Sequence, residues 1–399
     1  MPATRPDEAD SDFVNRQYTR LWESSLAVTT QAMKIYSQAW QEFFTSPQTL
    51  AKRNSLYFKE VLDPPRPQWQ TPHKFIAMPQ SLALLAKLLD FSAPDVPSKG
   101  IIPTLVLPPQ AGHHSYIADY SAEQSQVQAL RQTGLGGMFC IEWLSATAKT
   151  SQAGIEEYLE VVRFAVKQAG GKVNLVGDCQ GGWLAAIYTA LYPETVNTLT
   201  VAGAPIDFQA GEGQIKQAVN YIASTYPERG MAYYRSLVQV GKGNYSGSIQ
   251  TMAFNMMKPQ QLPERYLDLY QNVLNPSAVE RFREMKNWYD YYQDISGTFY
   301  LWLVEHLFRD NELIKNKLVI GGRKVSMKAI KCPVFLLAGS RDHITPPEQV
   351  FEMEKYIFTP SIQIHKRLVA AGHIGLFMGR DVLTKTWKEF GGMIFELSK

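Results

Sequence analysis

The sequence predicts an α/β fold: a mostly parallel sheet wound with helices on both faces. Three observations carry that expectation. Between residues 100 and 202, short apolar runs alternate with stretches of helical periodicity. One of the junctions reads Gly177-Asp-Cys179-Gln-Gly181, a tight strand-to-helix turn. After a long helical interruption, the strand signal returns at 333–338 and again at 362–369.

The elements follow in order. Ile101–Leu107 is an apolar run closed by Pro108-Pro109, which reads as a buried strand and its stop. Gln124–Thr133 suits a helix and Met138–Trp143 a second strand. Gln152–Ala169 carries helical spacing through Ile155, Tyr158, Leu159, Val162, Ala165 and Val166. Val173–Val176 is a strand, Gly181–Tyr192 a helix and Thr198–Ala202 a strand. The rhythm breaks between about 210 and 328, a stretch rich in Tyr, Met and Trp that reads as a helical cap insertion. Pro333–Ala338 and Ile362–Val369 resume the sheet, and a last helix starts near Val382.

Ahead of this core, residues 1–12 read as unstructured. Residues 13–46 read as a helix, with Phe13, Leu21, Trp22, Leu26, Met33, Tyr36, Trp40 and Phe44 near helical spacing. That stripe either packs on its own domain or meets an apolar surface. Residues 63–72 are proline-rich and read as an extended linker. The organisation expected is therefore a helical extension and linker over 1–95 and a core with its insertion over 96–399.

Composition narrows the function classes. The chain has 399 residues, 45% of them apolar, so a large core can be buried. A net charge of +3 makes no electrostatic case for nucleic acid or an anionic membrane. Cys140, Cys179 and Cys332 are odd in number and widely spaced, which suits neither a disulfide framework nor a zinc site. With a polar, acidic N-terminus and no long uncharged apolar run, the expectation is a cytoplasmic protein with no membrane partner. No dinucleotide fingerprint or metal-ligand cluster is present, so no cofactor is expected. A homo-oligomer stays open.

The chemistry centres on Cys179. An apolar strand, G-x-C-x-G and a helix together make a nucleophile elbow, the hallmark of the α/β-hydrolase fold, with cysteine in place of serine. Such a turn raises the sulfur above the sheet at the positive end of a helix. A thiol needs a base and the base an orienter. In this fold they follow in the order nucleophile, acid, histidine. Asp342 follows one strand and His373 the next, each just past a strand's C-terminal end, where open α/β sheets bind ligands. His343 adjoins Asp342 but suits a supporting position. His365, inside a strand, reads as structural, and His306 as a residue of the insertion. The N–H of Gln180 and one from the loop Leu107–His114 would form the oxyanion hole, with Gly112 permitting close approach. His113 and His114 either bind substrate or cap the next helix. Asp178 either fills a turn or tunes the site.

Residues 100–390 resemble intracellular poly(3-hydroxybutyrate) depolymerases and polyhydroxyalkanoate synthases. Gly112-His113-His114, Cys179-Gln180, Pro205-Ile206-Asp207, Phe254–Tyr270, Trp288–Tyr292 and Gly372–Arg380 resemble the depolymerases. Gly181-Gly182, Arg341–Ile344 and Asn311–Leu318 resemble the synthases. Longer synthase-related proteins are similar as well. The resemblance implies a triad of Cys179, Asp342 and His373 and a substrate that is polyhydroxyalkanoate polymer or 3-hydroxyacyl-CoA. The depolymerase is the favoured expectation, the synthase its rival. A silent fold that coats polymer granules is the third reading.

Overall fold

The computed structural model describes residues 8–92 and 99–399, with side chains from Asn15 onward. Of the residues expected to be unstructured, 1–7 lie outside the described part; the first helix begins at Glu8. The side chain of Phe13 lies outside it too.

Eight strands form one sheet: β1 (Lys74–Ile76), β2 (Ala86–Asp90), β3 (Thr104–Leu107), β4 (Met138–Trp143), β5 (Val173–Asp178), β6 (Val196–Ala202), β7 (Val334–Gly339) and β8 (Ile364–Val369). Their spatial order is β1-β2-β4-β3-β5-β6-β7-β8. β2 runs antiparallel to both of its neighbours, and from β4 to β8 every pairing is parallel. This is the α/β-hydrolase fold, as expected. β1 and β2 precede residue 96, so the sheet starts earlier than the sequence pattern suggests. Three and five residues long, and carrying Lys74 and Lys87, they offer little strand signal.

Every residue of β3, β5 and β7 is buried. A strand covered on both faces needs no polar alternation, which is why these segments read as unbroken apolar runs. The polar exceptions are bonded. Asn174 donates to the Ile102 carbonyl at 2.9 Å and to Ser398 Oγ at 2.8 Å, and its Oδ1 accepts from Asn197 and Thr198. That network ties the residues just after the Lys388–Glu396 helix to the start of β5.

The helices that matter here are α1 (Glu8–Thr45), α2 (Pro47–Leu62), α3 (Gln126–Arg131), α4 (Ile155–Gln168), α5 (Gln180–Leu191), α6 (Gln214–Thr225), α7 (Met231–Val240), α8 (Gln261–Asn272), α9 (Pro276–Tyr289), α10 (Gly297–Trp302) and α11 (Lys388–Glu396). In α4, all six residues expected to face the core are buried, joined by Val161. α5 is almost wholly buried, as a helix of mean composition Ala, Leu and Ile must be to hold its place.

The chain divides into two compact units. One comprises residues 68–248 and 292–399: the sheet with α3 to α7, α10 and α11. The insertion contributes to it a short ladder, Asn244–Tyr245 with Ile295–Ser296, and the stacked rings of Tyr245 and Tyr300 at 3.7 Å. The other comprises residues 1–67 and 249–291. Its core is Leu269, Val273, Val279 and Phe282, with Leu56, Tyr57, Val61 and Tyr266 packed against them. Arg53 of α2 binds both oxygens of Glu42 of α1 and the carbonyls of Tyr270 and Gln271 in α8. The middle of the insertion thus packs with the N-terminal helices, a pairing across some 200 residues that periodicity does not reveal. Among the described residues, no helix is long and apolar enough to cross a membrane.

Candidate active site

Cys179 stands between β5 and α5 with φ 49° and ψ −117°, a conformation that costs a non-glycine residue of order 1–3 kcal/mol. The turn is held from both sides. Its N–H donates to the Ala202 carbonyl on β6 at 2.8 Å, and its carbonyl accepts from Gly182 N–H at 2.9 Å. The glycines around it are demanded by contact. A Cβ on Gly177 would lie 2.4 Å from the Gly181 carbonyl oxygen, one on Gly181 only 1.9 Å from that of Leu107, and one on Gly182 2.4 Å from Ala204 Cβ. The double glycine lets α5 approach β3 and the residues after β6 closely enough to form the turn.

Asp342 sits in the turn after β7. One carboxylate oxygen accepts from the N–H groups of Ile344 and Thr345, both at 2.9 Å. The other lies 2.7 Å from His373 Nδ1. With one oxygen bonded to the turn, the carboxylate is aimed at the imidazole. The ring's remaining nitrogen, Nε2, is then the one left to meet the hydrogen-bonded Cys179 thiol. Burial works against a charge on His373, but the Asp342 carboxylate and Cys179 outweigh it and hold the imidazole well above its usual range. Phe377 packs its edge against the ring at 5.4 Å. The structure therefore brings Cys179, Asp342 and His373 together from distant parts of the chain, with His373 in contact with both of the others.

The other candidates fall elsewhere. His343 is half-buried in the Asp342 turn. His365 on β8 stacks on Phe335 at 4.8 Å. His306 lies on a π-helical stretch, Leu303–Arg309, and its Nδ1 is 2.8 Å from Glu312. His114 accepts the Tyr116 N–H at 3.1 Å through Nδ1 and so caps a short 3-10 helix, Ser115–Ala118. Burial pushes its pKa down to about 4, with Glu142 opposing and Lys87 assisting, so its Nδ1 lone pair stays available for that cap. The backbone of His113 pairs with Tyr292, and the Gly112 carbonyl accepts from Gln293 N–H at 2.9 Å, with Gly112 at φ 87°. Gln180 opens α5 with its N–H at the first turn. On the facing loop, Pro108 and Pro109 carry no N–H, so a donor there must come from Gln110 or beyond.

Gln126 was not singled out by its sequence context. It is the first residue of α3, fully buried, and its Nε2 donates to Asp178 Oδ1 at 3.0 Å. Asp178 Oδ2 has no partner among the described residues. Burial raises the Asp178 carboxyl to about 7, against the Gln126 hydrogen bond and the nearby His373. The sequence marks Asp178 through its place in the elbow, but nothing local marks Gln126 as its partner, 52 positions earlier.

Residues 81–397 match the family described as "Protein of unknown function (DUF3141)". The chain belongs to the DUF3141 family. The match runs from just before β2 to the end of α11 and includes Cys179, Asp342 and His373; α1 and α2 lie outside it. This DUF3141 protein is also 27% identical over 333 residues to the poly(3-hydroxyalkanoate) polymerase subunit PhaC of Haloarcula marismortui, covering 80% of the chain and 66% of that relative. It is 27% identical over 270 residues to the same-named subunit of Haloferax mediterranei, covering 65% and 52%. The chain thus spans between half and two thirds of the length of these two relatives. Among solved structures, the monoacylglycerol lipase of Paleococcus ferrophilus is similar at a TM-score of 0.47 and 18% identity, covering 74% of this chain and 97% of that one.

Proposed function

We propose that this protein is a cysteine-dependent acyltransferase acting on 3-hydroxyalkanoyl groups, with Cys179 as nucleophile, His373 as base and Asp342 as its orienter. The single observation that carries the reading is the chain of contacts from Cys179 through His373 to Asp342 at the C-terminal edge of the sheet. His373 takes the proton from Cys179 Sγ, and the sulfur attacks the acyl carbonyl. The oxyanion is held by the Gln180 N–H and a donor from the loop that begins at Gln110. The leaving group departs with the proton from His373, leaving an acyl thioester on Cys179. A hydroxyl then attacks that carbonyl, gives its proton to His373, and regenerates the thiol.

The identity of that hydroxyl separates two reactions. If it is the end of a growing chain and the donor is a 3-hydroxyacyl-CoA, the product is polymer. The relatives named polymerase subunit PhaC support this direction, as do Gly181-Gly182 and Arg341–Ile344. If it is water and the donor is a polymer ester, the product is free 3-hydroxyacid. Cys179-Gln180 and Gly372–Arg380, which resemble the depolymerases, support that second direction.

The deciding assay supplies 3-hydroxybutyryl-CoA and amorphous polyhydroxybutyrate in parallel and follows free CoA, soluble acid and insoluble product. Polymerase action predicts CoA release matched by insoluble product. Release of acid from polymer alone selects the depolymerase. Activity unchanged in Cys179→Ala would refute both.

A further inference from the structure

We infer that α1 is a dimerisation helix, whose free face pairs with the same face of a second copy of this chain. The inference is independent of the chemistry proposed at Cys179.

α1 has two faces. The inner one carries Ser24, Ile35 and Glu42. Ser24 donates to Gln260 at 3.0 Å, Ile35 is buried, and Glu42 is held by Arg53. The outer one carries Trp22, Leu26, Thr29, Met33, Tyr36, Trp40 and Phe43, all exposed. Trp22 is 75% exposed, Met33 67% and Trp40 57%, and nothing among the described residues covers them. Their rings stack along the helix, Tyr36 on Trp40 at 6.4 Å and Trp40 on Phe43 at 6.2 Å. Large apolar side chains so exposed and so contiguous on a folded surface mark an interaction site.

The spacing identifies what fits there. From Trp22 to Phe43 the positions step by four and three in strict alternation, three complete heptads. A narrow stripe with a period of 3.5 is the seam of a left-handed coiled coil, whereas a helix lying on a flat apolar surface presents a broader arc. The occupant is therefore another helix.

Two features make an identical helix suitable. The residues flanking the seam are mostly small and neutral (Ser25, Thr30, Ala32, Ser37 and Ala39), so two copies meet without like-charge repulsion. The area is also sufficient. Each aromatic ring can bury on the order of 150–250 Å². With its aromatics more than half exposed, one face offers roughly 800–1,000 Å², about what each partner gives to a stable interface. A self-complementary seam of this kind closes on a two-fold axis and leaves no open end.

The test is the mass of the full chain in solution, by light scattering or sedimentation at about 10 µM. A dimer is expected for the wild type. The double variant Met33→Glu/Trp40→Glu should be a monomer with unchanged far-UV and near-UV circular dichroism. Trp22→Arg/Leu26→Arg provides a second disruption at the other end of the seam, should the first variant fail to fold. A wild-type monomer would overturn the inference, and so would a dimer that survives in a folded seam variant.

Discussion

Cys179 is held at a positive φ by two backbone hydrogen bonds, and its thiol meets an imidazole already fixed by Asp342. The relay proposed for these three residues would lose its function when any member goes. Cys179→Ala is expected to lower turnover by at least about 1,000-fold while leaving the circular dichroism spectrum unchanged. His373→Ala should lose about 100-fold or more, and His343→Ala much less, since His373 is the imidazole bonded to Asp342. Both histidine variants are to be measured on one soluble 3-hydroxyacyl thioester; a reversed ranking would assign the base to His343.

Asp178 gives a second prediction at this scale. Its carboxyl titrates near 3.8 when exposed and near 7 in the fold, because burial penalises the charge more than Gln126 and His373 relieve it. Between those values the folded protein holds the proton and the unfolded chain does not. Stability therefore falls as pH rises through this window, by about 4 kcal/mol in total. Asp178→Asn cannot ionise and keeps an oxygen for the Gln126 amide. Its stability relative to wild type should climb from pH 4 to pH 7 and level off above, as read from denaturant unfolding at several pH values. A difference that stays constant over that range would mean that Asp178 does not titrate there.

At the scale of elements, the elbow depends on how closely α5 approaches β3. Gly181→Ala would place a methyl 1.9 Å from the Leu107 carbonyl oxygen, with backbone on both sides and no flexible side chain to yield. A cost of about 3 kcal/mol or more is expected, together with loss of activity, because the helix must move and carry Cys179 with it. Thermal unfolding would record the first effect and turnover of the soluble thioester the second; wild-type values in both would show that the turn is looser than its contacts indicate. The elbow was legible because its constraints are local. A strand, a nucleophile framed by glycines and a helix occupy consecutive residues, and each residue type is dictated by its neighbours. β1 and β2 were not legible for the opposite reason. Short and partly polar, they are strands because β4 offers an edge to β2 and β2 an edge to β1, which is a tertiary circumstance.

Across the whole molecule, the two units rest on different interactions. The sheet unit has an extensive apolar core. The helical unit depends on a small cluster and on Arg53, which joins α1, α2 and α8 through four hydrogen bonds. Arg53→Ala would leave Glu42 and two carbonyls without their cation, at a cost of about 3 kcal/mol. The expected outcome is an early unfolding transition, seen by tryptophan fluorescence, ahead of that of the sheet. A single transition displaced as one would show that the units unfold together.

The sequence alone carried the sheet's parallel middle, the buried face of α4, the elbow and the order Cys179, Asp342, His373, because each of these is written in spacing or in neighbouring residue types. It left open what depends on distance through space. His114 caps a short 3-10 helix because the Tyr116 N–H reaches its Nδ1, and the Asp178 carboxyl is raised because the fold buries it, against the Gln126 hydrogen bond. Residues 249–291 pack with α2 because apolar side chains from both segments share one core, and with α1 through Ser24 and through Arg53, which holds Glu42. A lone sequence records which side chains seek burial; which partners they find is settled when the chain folds and distant surfaces compete for the same contacts.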